Sequence, residues 1–291
     1  MKTKSVVCAL LGAGLCFAAS NSDRWSVREE ETIRKTLPLS GAPMRLLIDN
    51  VDGYVHVTGT SGSQVQVTAH KTIRADADSD LQQAKSEVKL AIEEKPGTVS
   101  VYYDAPWRCN NCCNDGCREH RRFYNVTYDI DVEVPRAARA VISTVNHGDV
   151  RLEGTAGDFE VSNVNGGIAM TQVSGSGDVH TVNGPIRVEF ARNPAGASSF
   201  KSVNGQLDMF FPSALSADLL FKTFNGQIYS DFDVAPRPTP IETERKQGRY
   251  VYRSNRLQGG RAGQGGPQLS FDTLNGNIRL HRAGKGGGGN E

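Results

Sequence analysis

The chain has almost no excess charge of either sign: 33 Lys and Arg stand against 32 Asp and Glu, a net +1 over 291 residues. That balance argues against a protein that holds nucleic acid by bulk charge, and no nucleic-acid partner is expected. No stretch reaches the roughly 20 apolar residues that a membrane-spanning helix needs, so no transmembrane segment is expected either. The sequence also lacks a His-Glu-x-x-His zinc motif, a Gly-x-Ser-x-Gly elbow and a phosphate loop. No acidic pair stands out as the two carboxylates that glycoside cleavage requires. With no motif for catalysis, neither a catalytic residue nor a cofactor is assigned. What remains, 38% hydrophobic residues and 31 glycines, is an ordinary globular composition.

The N-terminus has the form of a secretory signal. Lys2 and Lys4 supply the positive start, Val6 to Ala19 the short apolar core, and Ala18-Ala19-Ser20 the small residues before a cut after Ser20. Leu15 stands where a lipidated Cys16 would need a small residue, so a lipoprotein anchor is not expected. The mature protein is expected outside the cytoplasm, in the periplasm, on the cell surface or secreted. Residues 21–43 form a lead-in to a domain spanning 44–282. The stretch Gly259 to Gly266 reads as a flexible Gly-rich loop and 283–291 as a disordered tail.

Internal repetition dominates the domain. Phe271-Asp272-Thr273-Leu274-Asn275-Gly276-Asn277-Ile278 matches Phe221-Lys222-Thr223-Phe224-Asn225-Gly226-Gln227-Ile228 almost position by position. The same frame fits the segments around Asn204-Gly205, Asn183-Gly184 and Asn165-Gly166, and more loosely 142–152, where His147 is inserted after Asn146, and 48–57. The turn Asn recurs at 146, 165, 183, 204 and 225, spacings of 19, 18, 21 and 21. A period near 20 predicts an all-β solenoid in which each unit is a rung that buries its apolar side by stacking. Ordinary Asn-Gly hairpins are the competing reading. Pro185, which has no N–H for a tight hairpin, and the break in apolar parity across the turn favour rungs. Stacked rungs would align the Asn side chains into an amide ladder, with a second polar ladder at the Thr/Ser/Asn position two residues earlier. Asn and Gly at the corner would supply left-handed backbone.

Two segments interrupt the repeat. Residues 76–134 form a small α/β insertion, with a short amphipathic helix between Asp76 and Leu90 and strands at 89–93, 99–103 and 124–134. Residues 236–266 form a Pro-, Arg- and Gly-rich excursion with one strand at 250–252. The Asn-Gly rungs behind a signal peptide resemble a bacterial family of β-strand-repeat domains of unknown function, labelled putative adhesins. The resemblance covers about Met44 to Leu280. It implies a β-helix-like, extracytoplasmic protein without established catalytic residues.

The insertion carries Cys109, Cys112, Cys113 and Cys117 within nine residues. In an exported chain an even count predicts disulfides, with the two pairings that avoid a vicinal 112–113 bridge preferred. A zinc site of four thiolates, or three with His120, competes, as do reactive thiols with pKa lowered by neighbouring arginines. Arg108, Arg118, Arg121 and Arg122 form either a solvated loop tip or a contact patch for an acidic surface. The expected function is non-catalytic binding or scaffolding through a long β face, with a glycan or an envelope protein as partner. A β-helix enzyme acting on polysaccharide is the alternative.

Overall fold

A computed structural model describes residues 25–38, 44–108, 123–237, 242–246, 249–253 and 258–283, the backbone alone over 242–246 and 249–253. Its elements run β1 (Val27–Pro38), β2 (Arg45–Asp49), β3 (Val55–Thr60), β4 (Gln64–Ala75), α1 (Asp78–Glu87), β5 (Lys89–Lys95), β6 (Thr98–Asp104) and β7 (Tyr124–Pro135). The units follow as strand pairs: β8 (Arg139–Thr144) with β9 (Val150–Glu153), and β10 (Phe159–Asn165) with β11 (Ile168–Val173). Next come β12 (Gly177–Asn183) with β13 (Ile186–Phe190), β14 (Ser198–Asn204) with β15 (Leu207–Phe211), and β16 (Ala217–Asn225) with β17 (Ile228–Ser230). After them come β18 (Val234–Arg237), β19 (Glu242–Lys246), β20 (Arg249–Arg253), β21 (Gln258–Ala262), β22 (Gln268–Asn275) and β23 (Ile278–Arg282).

Each unit gives one strand to each of two large mixed sheets, and the Asn-Gly pair is the corner between them. In the third unit Phe159, Val161 and Asn163 point inward before the corner, and Ile168 and Met170 after it. The inward set changes parity across Gly166-Gly167, which a flat strand of period two cannot do. Like residues then stack in register: Val161 beside Val179, Val179 beside Phe200, Phe200 beside Phe271 and Phe271 beside Phe221. Neighbouring units pair in parallel in both sheets, not as antiparallel hairpins. The core lies between the sheets. Phe190 stacks on Phe211 at 5.0 Å, and Phe271 lies between Phe200 at 5.6 Å and Phe221 at 5.5 Å.

The order of units in space departs from their order in sequence. The last unit, β22 and β23, lies between the fifth and sixth: the second sheet runs β14-β22-β16 and the first β15-β23-β17. At the other end the insertion extends both sheets. β6 pairs in parallel with β2, and β7 with β3, so these two strands add one more irregular two-strand unit, and the cysteine segment joins them. β4 and β1 then continue the first sheet antiparallel, and β5 the second. The helix α1 buries Leu81 and Ala84 on the body, packed against β4 and β7.

The Gly-rich stretch at 259–266 is not a loose loop. Its first half is β21, antiparallel to both β16 and β18, and its second half is a tight turn with Gly263, Gly265 and Gly266 at φ +58°, +79° and +152°. Backbone pairing orders the glycines that composition assigned to flexible chain. The excursion also holds the antiparallel pair β19–β20, which covers the strand expected at 250–252. The tail at 284–291 lies outside the described residues, as does the expected signal segment at 1–20.

Candidate binding face

The corner between the sheets carries a continuous chain of six amides. Asn225 Nδ2 donates to Asn275 Oδ1 at 2.6 Å, Asn275 to Asn204 at 2.8 Å, and Asn204 to Asn183 at 2.9 Å. Asn183 then donates to Asn165 at 2.9 Å and Asn165 to Asn146 at 3.0 Å. Every bond runs the same way, so the amide dipoles align and polarise one another. Each inner amide spends one N–H and one lone pair on the ladder. The other N–H and lone pair remain for a ligand or water at this exposed corner.

One row inward, the Thr/Ser/Asn position does not form the second side-chain ladder expected from the sequence. Its members instead bond the Gly carbonyl of the neighbouring unit: Asn163 Nδ2 to Gly148 O, Thr181 Oγ1 to Gly166 O, Ser202 Oγ to Gly184 O, Thr273 Oγ1 to Gly205 O and Thr223 Oγ1 to Gly276 O, all within 3.1 Å. The same carbonyls explain the glycines. A Cβ on Gly166, Gly184, Gly205, Gly276 or Gly226 would come within 1.9–2.3 Å of the neighbouring unit's Gly oxygen. None of these five glycines is left-handed, nor is any ladder Asn. The left-handed corner expected from the Asn-Gly pair is therefore absent. Close approach of one backbone to the next demands Gly here, not a special φ.

An apolar row runs beside the ladder, formed by the residue before each Asn: Val145, Val164, Val182, Val203, Leu274 and Phe224 in spatial order. Val145, Val182 and Val203 are half-buried and Val164 is 37% exposed, and the row is most exposed at its far end, 47% at Leu274 and 61% at Phe224. At about 4.8 Å per strand, six members span about 24 Å. On the outer side of the first sheet the last four units add an aromatic and charged patch. Phe210 is sandwiched by the Arg187 guanidinium at 4.1 Å and the His281 ring at 4.6 Å. Beside it Asp208 faces Arg279 at 3.5 Å and His281 at 3.8 Å, and Tyr229 is half exposed.

The ladder stops where the motif changes. In the first unit Asp52 replaces the Asn and bridges to Asn146 through backbone. Its buried carboxylate turns to His147 Nδ1 at 3.0 Å and accepts from Asn125 Nδ2 at 2.9 Å. His147 takes φ +54°, the cost of its insertion after Asn146. Nearby, Tyr54 is pushed up to about 12, first by burial and then by Asp131, which its hydroxyl meets at 3.1 Å. Burial also raises Asp129, whose Oδ1 accepts the Tyr54 N–H at 3.1 Å.

Of the proposed contact arginines, Arg108 is committed to the fold. Its guanidinium donates twice to Asp49, at 2.8 and 2.7 Å, and once to the Tyr103 carbonyl at 2.8 Å, and it lies over the Tyr102 ring. Arg118, Arg121, Arg122, His120 and the four cysteines Cys109, Cys112, Cys113 and Cys117 lie outside the described residues. No cluster of three or more metal-ligating side chains occurs among the described residues, and no described helix is long and apolar enough to cross a membrane. The apolar row and the Arg187–Phe210–His281 stack went unread in the sequence. The row was visible as the recurring apolar residue before Asn, whereas the stack brings together three different units.

No family model matches the chain, and no curated protein does. Solved structures with a similar course include a putative cell adhesion protein from Clostridium sporogenes, 9% identical over 87% of this chain and 100% of its own, TM-score 0.42. A putative adhesin from Bacteroides fragilis is 10% identical over 86% and 97%, TM-score 0.36. A putative lipid binding protein from Parabacteroides distasonis is 10% identical over 86% and 96%, TM-score 0.26.

Proposed function

We propose that this is an exported, non-catalytic binding or scaffolding protein, a β-solenoid that engages an elongated partner along its Asn corner. The observation that carries the reading is the uninterrupted six-amide chain beside a matching apolar row. Together they make a continuous strip of donors, acceptors and apolar contacts repeated at strand spacing. An elongated glycan presents hydroxyls and apolar ring faces in the same alternation, which makes it the preferred partner over an envelope protein. Contacts at each rung are weak, and affinity comes from many engaged at once.

The test is a binding screen of polysaccharides and envelope fractions, run with a glycan-cleavage assay on the same samples. Binding that falls when Phe224 and Leu274 are both replaced by Ala, with no cleavage product, supports the reading. Product release that one Asp or Glu substitution abolishes would replace it with the polysaccharide-cleaving alternative. Export with cleavage after Ser20, and disulfides among Cys109, Cys112, Cys113 and Cys117, belong to the same proposal. Alkylation without reductant followed by mass spectrometry should leave those four thiols unlabelled.

A further inference from the structure

We propose that the C-terminal unit, 268–282, is an exchangeable element that can fill the same slot in a second copy of this chain. The slot is double-sided: β22 lies between β14 and β16, and β23 between β15 and β17, so one hairpin-free unit completes both sheets at once. Its occupant is recognised by side chains as well as backbone. Phe271 stacks between two rings, and Asn275 links the amides of Asn204 and Asn225.

Charge explains why this unit, and not the near-identical sixth, belongs there. At one register position the order is Lys201, Asp272, Lys222, with Lys222 Nζ 3.1 Å from Asp272 Oδ2. Stacking the sixth unit directly on the fifth would set Lys222 beside Lys201. Like charges opposite one another on neighbouring strands repel, so Asp272 selects the slot between them.

The connection makes exchange feasible. β21 lies on one side of β16 and β22 on the other, so 263–267 must step across the end of β16. That step spans two strand spacings, about 9.5 Å, in five residues. Four hydrogen bonds hold it there: Ser216 Oγ donates to Gly265 O at 2.9 Å and accepts from Gln264 N at 3.0 Å, Gly265 N donates to Ala262 O at 3.1 Å, and Asp218 N donates to Pro267 O at 3.1 Å. A short turn that opens into extended chain, next to a slot any copy presents, is the usual route to swapped assemblies. This assembly is independent of what the Asn corner binds.

Two full-length variants test it. Asp272→Lys places three lysines in a row, and Lys201→Glu with Lys222→Glu places three acids in a row, so each disfavours its own unit. A reciprocal exchange between the two restores alternating charge in both slots. Mixing them should give a hybrid dimer by native mass spectrometry, about tenfold more abundant than either self-dimer, as the reversal of two exposed pairs per slot implies. Hydrogen exchange should show 268–282 regaining protection in the mixture. Wild-type chains, one isotope-labelled, incubated together in mild denaturant and returned to buffer, should likewise yield mixed dimers even where a variant folds poorly. A mixture without hybrid species, together with wild-type chains that never share a complex, would overturn the proposal.

Discussion

Replacing Phe271 by Ala tests the intercalated order of the last two units. The side chain is fully buried, its ring 5.6 Å from Phe200 and 5.5 Å from Phe221. Truncating a buried Phe costs about 3–5 kcal/mol through lost transfer energy and the cavity left behind. Each aromatic pair adds about 0.5–1.5 kcal/mol beyond area, so the upper half of that range is expected. Phe221 pairs with Phe271 and is 5% exposed, so its truncation should cost less. If the units stacked in sequence order, Phe221 would be the ring with two neighbours and the ranking would invert. Leu274, in the same unit but 47% exposed, should cost below about 1 kcal/mol on truncation. Urea unfolding followed by circular dichroism, compared at equal m-values, gives the three losses. A loss under about 1 kcal/mol for Phe271→Ala, or a larger one for Phe221→Ala, would refute the packing described above.

Gly205→Ala should destabilise by about 1–3 kcal/mol, because its Cβ would stand 1.9 Å from the Gly184 oxygen, whereas Gly62→Ala, with 3.5 Å of room, should be neutral by thermal melting. Asn204→Ala removes two ladder bonds at an exposed corner and should cost about 1–2 kcal/mol by the same unfolding measurement. Asp129 has its pKa raised chiefly by burial, so the folded state binds its proton more tightly than the unfolded chain does, and stability from this group falls as pH rises through the carboxylate range. Asp129→Asn keeps an oxygen for the Tyr54 N–H and should therefore be more stable than wild type at neutral pH, with the difference vanishing in acid. Asp131→Asn should bring Tyr54 down from about 12 in an ultraviolet phenolate titration; an unchanged midpoint would refute the part assigned to Asp131 and leave burial and Asp129 as the causes.

The helix within 76–90 could be read from its run of good helix formers, and α1 occupies part of that span. The Gly-rich stretch was misread because composition reports the entropy of free chain, and β21 draws its order from hydrogen bonds to β16 and β18, strands 20 or more residues away in sequence. Arg108 was grouped with its basic neighbours because Asp49, its partner, is 59 residues away. His147 could be seen as an extra residue in its unit. Its pairing with Asp52 depends on the first and second units lying side by side.

The sequence alone determined the unit, its corner and its parallel amide ladder. Similar residues at a fixed period can satisfy their side chains by stacking like on like, so Asn meets Asn and apolar meets apolar whichever unit comes next. That same uniformity is why the order of the units could not be read. Apolar and amide positions are interchangeable among units, and charged positions such as Lys201, Asp272 and Lys222 distinguish the neighbours. Their meaning appears once β22 is placed between β14 and β16. The requirement for Gly at the corner likewise came from tertiary structure, since it is set by the carbonyl of the adjoining unit and not by the residue's own backbone angles.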